Sequence, residues 1–144
     1  MSHKILLVDD SPLVRSLIRT AIEQKTIWQV CGEAENGKEA VDKVRELSPD
    51  VVILDMQMPV MNGLEAAEQI TKIAPATPLL MFTMHTSDEL IRIAQSVGIR
   101  DVLSKSKGMP DNLISAVQRA LESKNPSASM VERRLRKSRN TSVR

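Results

Sequence analysis

Five residues of this chain could do chemistry together: the pair Asp9-Asp10, Asp55, Thr83 and Lys105. Each follows a short run that reads as a strand: Lys4 to Val8, Val51 to Leu54, Leu79 to Phe82, and Asp101 to Ser104. Four apolar residues in a row, three of them β-branched at Val51-Val52-Ile53-Leu54, suit a strand buried on both faces. A carboxylate that closes such a strand is costly to bury unless a cation or a set of donors meets it. Three carboxylates brought close repel one another, and a hard divalent cation such as Mg²⁺, which takes oxygen ligands, is the natural remedy. A carboxylate can also attack phosphorus and form an aspartyl phosphate. A metal, an ammonium and a hydroxyl would then stabilise the phosphoryl oxygens.

These residues need elements that bring them together. Ser11-Pro12 reads as an N-cap with proline at the first helical position, opening a helix to about residue 24. Its inner face is expected to carry Leu13, Leu17 and Ala21 beside Val14, Ile18 and Ile22. A second strand is expected over 27–32, and Asn36-Gly37 reads as a loop before a helix over 37–48 rather than a hairpin turn. Further helices are expected over 63–74, from Ser87 to Gly98 with Leu90, Ile93, Ala94 and Val97 inward, and after Gly108 and Pro110. Five strands alternating with five helices predict an α/β fold: a doubly wound, five-stranded parallel sheet with helices on both faces. In such a sheet the strands' C-terminal ends open on one crevice, which is where all five residues fall.

Bulk composition limits the alternatives. The 144 residues suit a single domain, with 42% hydrophobic and 26% charged residues. Trp28 and Phe82 are the only aromatics, which argues against base stacking or a sandwiched ring cofactor. The single Cys31 excludes an internal disulfide and is expected to be a buried, small apolar side chain without a basic partner. No signal peptide or membrane span is visible, so a cytoplasmic protein is expected. Residues 1–123 read as the domain, and 124–144 as a basic tail or linker with seven Lys/Arg and one Glu. The tail lacks aromatics and no helix-turn-helix follows it, so a solvated tail is favoured over nucleic-acid contact unless an output domain is fused.

The pattern of Asp9-Asp10, Asp55 with Pro59 four residues on and Gly63 eight on, Thr83 and Lys105 closely resembles the receiver domain of two-component response regulators. The resemblance covers roughly residues 3–123. It implies a flavodoxin-like sheet of order 2-1-3-4-5 and phosphorylation of Asp55 by a sensor histidine kinase or phosphotransfer protein. It also implies Mg²⁺ or Mn²⁺ held by Asp10, Asp55 and the backbone carbonyl of Gln57, with Asp9 acting through water and Thr83 and Lys105 on the phosphoryl group. An unnamed output partner and a phosphorylation-linked homodimer belong to the same expectation, with no membrane partner. By this reading the chain is a phosphorelay switch and not an enzyme, apart from catalysing its own phosphorylation and dephosphorylation.

Three positions depart from the family pattern. Ser106 follows Lys105 where proline with a cis bond is usual, and a cis bond before serine costs about 3 kcal/mol. Val102 stands where Tyr or Phe is common, and Met84 where a small residue is usual. Met84 is adaptable and Val102 stiff at χ1, so Met84 is expected to fill part of the missing ring's space and to carry the signal through the loop from Thr83 to Ser87. A phosphorylation-independent protein-binding module is the alternative. An aspartyl-phosphate phosphatase or phosphotransferase is disfavoured by Gln57, which replaces the second Asp those enzymes use as general acid.

Overall fold

The computed structural model describes residues 3–106 and 109–123; Gly108 and the expected tail, 124–144, lie outside the described residues. Ten elements alternate along the chain: β1 (Lys4–Val8), α1 (Pro12–Lys25), β2 (Gln29–Ala34), α2 (Gly37–Leu47), β3 (Val51–Leu54), α3 (Gly63–Ile73), β4 (Leu79–Thr83), α4 (Asp88–Ser96), β5 (Ile99–Ser104) and α5 (Asp111–Glu122). All pairings are parallel and the strand order is β2-β1-β3-β4-β5, as the repeated strand–helix pattern implies.

Strand side chains alternate between two cores. Leu6, Val8, Val52, Leu54 and Met81 face α2, α3 and α4 and meet Ala40, Val44, Ala67 and Ile70. Ile5, Leu7, Ile53, Leu80 and Phe82 face α1 and α5 and meet Ile18, Ile22, Leu113 and Val117. Burying each large aliphatic side chain stabilises by roughly 1.5–3 kcal/mol, and the central strands β1, β3 and β4 carry many of the fully buried ones. The topology reverses between β1 and β3, and the crevice opens there.

The helices start where their caps dictate. Ser11 Oγ accepts from the Val14 amide, Asn36 Oδ1 from Glu39 and Ser87 Oγ from Leu90, while Asn62 and Glu65 form a reciprocal capping box. Asn36-Gly37 is therefore the beginning of a helix, and the hairpin alternative is absent. Gly98 lies just past α4 with φ +97°, the left-handed conformation that ends a helix without steric cost.

Some boundaries and faces differ from expectation. β2 runs Gln29–Ala34 and not 27–32, because Thr26 caps α1, Ile27 is 81% exposed, and the ladder continues through Ala34. Gly32 does not end the strand; a Cβ there would stand 2.7 Å from Leu47 Cδ1, so its small size lets α2 approach. β5 begins at Ile99, directly after the glycine, and not at Asp101. Leu13 and Leu17 were expected inward but are 68% and 51% exposed, and Ile93 is 42% exposed. α1 covers its side of the sheet with buried Ile18, Ala21 and Ile22 and partly buried Val14, so the outer apolar pair lies beyond the packed stripe. Cys31 is half-buried, with its thiol 3.5 Å from the Ile5 carbonyl. Burial pushes that thiol up although Lys4, a basic neighbour the sequence did not reveal, acts the other way. Among the described residues no helix is long and apolar enough to cross a membrane.

Candidate functional site

The backbone ladder places the functional residues one step past the strands. The Asp9 amide donates to Ala34 O at 3.0 Å, the Asp55 amide to Val8 O at 2.9 Å, and the Lys105 amide to Thr83 O at 2.8 Å. Each of these residues therefore takes its position from a neighbouring strand, while its side chain leaves the sheet at the crevice rim. Gly63 closes the floor: its amide donates to Met56 O at 2.8 Å, and a Cβ there would lie 2.1 Å from Asp55 O. That approach admits only glycine. The intervening loop turns at Val60, whose φ of +69° is strained for a β-branched residue.

Side chains from separate strand ends converge in a cleft of about 530 Å³. Carboxylate oxygens of Asp9, Asp10 and Asp55 all lie within 4.8 Å of one another. Asp9 and Asp55 are buried, at 4% and 7% exposure, and Asp10 is exposed. Lys105 Nζ stands 2.6 Å from Asp9 Oδ2 and 3.4 Å from Asp55 Oδ1, so one ammonium bridges both buried carboxylates. The second Asp9 oxygen accepts from the Ser11 amide at 2.9 Å, an Asx turn that orients it. Thr83 is buried at 5% and lines the cleft with Gln57, Met84 and His85.

The electrostatics follow from this crowding. Burial raises the Asp55 carboxyl above its ordinary range and Asp9 adds repulsion, while Lys105 and the Met56 amide oppose the shift without cancelling it. A site with three converging oxygens, one cation short of balance, suits a hard divalent ion with several waters. The same donor set is a poor match for a soft metal. Met56, Met58 and Met61 instead pack against the core below α2 and α3.

The structure thus brings together Asp9, Asp10, Asp55, Thr83 and Lys105, and sets Gln57 at the cleft wall. Met84, expected to fill part of the missing ring's space, is 55% exposed and lines the cleft beside Thr83. Val102 is half-buried, opposite Met81 in the ladder, and packs against the α2–α4 core. The only cis peptide bond among the described residues is Met109–Pro110, so the Lys105–Ser106 bond is trans. Ser104 and Ser106 share a hydroxyl contact of 2.7 Å in that turn.

Sequence reasoning missed Arg15 and Glu33. Arg15 Nε donates to Glu33 Oε1 at 2.8 Å, and its Nη1 donates to the Asp9 carbonyl. A contact between a helix and a strand 18 residues on leaves no periodic trace that could have revealed it.

Comparison with known proteins agrees with this geometry. Residues 5–118 match the response regulator receiver domain family. The chemotaxis protein CheY of Thermotoga maritima is 34% identical over 119 residues, covering 83% of this chain and 98% of that protein. A protein-glutamate methylesterase/protein-glutamine glutaminase of Methanococcoides burtonii is 37% identical over 123 residues, or 84% of this chain, which spans only 34% of that longer relative. The crystal structure of the response regulator domain of Thermotoga maritima CheB superposes with a TM-score of 0.79 at 31% identity, covering 85% of this chain and 98% of that domain. The chain belongs to the response regulator receiver domain family of two-component signalling.

Proposed function

We propose that Asp55 is the phosphoacceptor of this receiver and that residues 1–123 form the receiver domain. The observation that supports the assignment is the bridging ammonium: Lys105 stands between Asp55 and Asp9 in a buried cleft, with Asp10 within 4.8 Å. An anionic donor entering this cleft meets a cation already in place. One Asp55 carboxylate oxygen bonds to phosphorus as the bond between phosphorus and the donor's imidazole nitrogen breaks, and that nitrogen keeps the electron pair. The Thr83 hydroxyl and the Lys105 ammonium are the groups poised to receive the phosphoryl oxygens.

Receiver domains generally bind Mg²⁺ at an acidic pocket, and the donor set here fits it. Asp10, Asp55 and the Gln57 backbone carbonyl would hold the ion, with Asp9 acting through water. The bound ion supplies positive charge that neutralises the carboxylates and draws charge from the phosphoryl oxygens.

The phosphoryl donor is a histidine kinase or phosphotransfer protein, as for receivers in general, and the chain acts in the cytoplasm. It turns over no external substrate, and the esterase named for the longer relative lies in a protein of which this chain spans a third. Intact mass after incubation with acetyl phosphate tests the reading. A single added phosphoryl group that requires Mg²⁺ is expected, and an unmodified protein at saturating Mg²⁺ would sink it.

A further inference from the structure

Arg15 lies in the first turns of α1, and its side chain is only 14% exposed. It uses two edges of one planar fork: Nε on Glu33 and Nη1 on the backbone carbonyl of Asp9. Glu33 is itself clamped, because Arg19 Nη2 donates to its other oxygen at 2.7 Å. Burial pushes the Glu33 carboxyl up, but the hydrogen bonds and charges of Arg19 and Arg15 outweigh it and hold the group below the ordinary range. The guanidinium therefore has a fixed, ionised partner, and its rigid geometry fixes the direction in which Nη1 points.

The carbonyl it grips belongs to the peptide unit that joins Asp9 to Asp10. Because that unit is planar, holding its oxygen sets the plane from which the Asp10 side chain departs. The Asp9 carboxylate is anchored separately, by the Ser11 amide at 2.9 Å and Lys105 at 2.6 Å. The dipeptide is thus held on one side through its carbonyl and on the other through a side chain. Asp10, exposed at the cleft rim, gains its orientation from both.

We propose that Arg15 is a positioning residue that sets the affinity of the Asp9–Asp10–Asp55 cluster for Mg²⁺ by holding the Asp9–Asp10 peptide plane. It touches neither the ion nor the phosphoryl group. The proposal rests on the phosphoacceptor reading and adds to it a residue outside the cleft. Groups that orient metal ligands from behind are typically worth 10-fold or more in affinity.

The test is the Mg²⁺ concentration at half-maximal thermal stabilisation of the full chain, read alongside acetyl phosphate labelling of Asp55. Arg15→Lys keeps a charge for Glu33 but loses the fork that reaches Asp9, so half-saturation is expected to rise about tenfold. Arg15→Gln is expected to do the same. Arg19→Gln disturbs the same Glu33 carboxylate without touching Asp9, and is expected to keep the wild-type value. Arg15 variants with wild-type half-saturation overturn the proposal alone. So does an equal rise in Arg19→Gln, which would mark a general effect of the ion-pair network. Arg15→Lys decides the matter if Arg15→Gln does not fold. A wild type with no Mg²⁺ saturation overturns the phosphoacceptor reading and this proposal with it.

Discussion

Replacing Lys105 with Met removes the ammonium that bridges Asp9 and Asp55, while keeping most of the side-chain volume. The three side chains are 10%, 5% and 9% exposed, so solvent does little to take over its role. At an effective dielectric of about 20, unit charges 2.6 and 3.4 Å apart attract by about 6 and 5 kcal/mol. Carboxylate oxygens within 4.8 Å repel by at least about 3.5 kcal/mol on the same scale. Breaking a buried pair from one side usually costs about 3–5 kcal/mol. Proton uptake sets a ceiling: protonating a carboxylate of unfolded pKa about 3.9 at pH 7 costs about 4 kcal/mol. Lys105→Met should therefore lose about 3 kcal/mol in chelator at pH 7, and less as pH falls toward the carboxylate range. Urea unfolding with chelator and with excess Mg²⁺ reads both effects. Mg²⁺ should stabilise the variant more than the wild type, because the ion then provides the missing positive charge. A loss under about 1 kcal/mol, the value of a surface pair, would refute a buried bridging role. So would a Mg²⁺ shift no larger than that of the wild type.

Three further outcomes follow from the same geometry. The raised Asp55 carboxyl binds its proton more tightly folded than unfolded, so that contribution is full below the unfolded pKa and is lost as pH rises through the folded one. In chelator, Asp55→Asn should thus be more stable than wild type at neutral pH, with the gap closing on acidification; a gap independent of pH in urea titrations would contradict it. Gly63→Ala should lose at least about 2 kcal/mol and most acetyl phosphate labelling, because its Cβ would meet the Asp55 carbonyl at 2.1 Å; near-wild-type unfolding and labelling would count against the close approach. Val60→Gly should gain about 0.5–1 kcal/mol by relieving a left-handed β-branched residue that is 78% exposed, and a loss in urea unfolding would show that the loop is not strained.

What the amino-acid pattern revealed was whatever the sheet's period imposes. Apolar runs that stop on Asp9, Asp55, Thr83 and Lys105 announce strand ends, and in a parallel sheet those ends share one rim. The helix starts expected after Ser11, Asn36, Asn62 and Ser87 fall within a residue of those found, where each of these side chains caps its helix by a local hydrogen bond. Faces were less legible. Leu13 and Leu17 fit the helical stripe, yet periodicity does not say how wide a stripe the sheet will cover. Gly32 read as a strand end since glycine usually interrupts strands, whereas here it admits Leu47. Lys105 was legible as part of the cleft, but its closer approach to Asp9 than to Asp55 depends on where the turn after β5 delivers it. Arg15 and Glu33 were invisible for the same reason: tertiary ion pairs have no sequence period.

The assignment of Asp55 is tested most directly by mapping the modified residue. An acyl phosphate on aspartate is reduced by borohydride to homoserine, which fragment masses locate in the chain. After acetyl phosphate and Mg²⁺, homoserine is expected at position 55 and at no other aspartate, with none formed in chelator or in Asp55→Asn. Homoserine at position 9 or 10, or label that persists in Asp55→Asn, would contradict Asp55 as the phosphoacceptor.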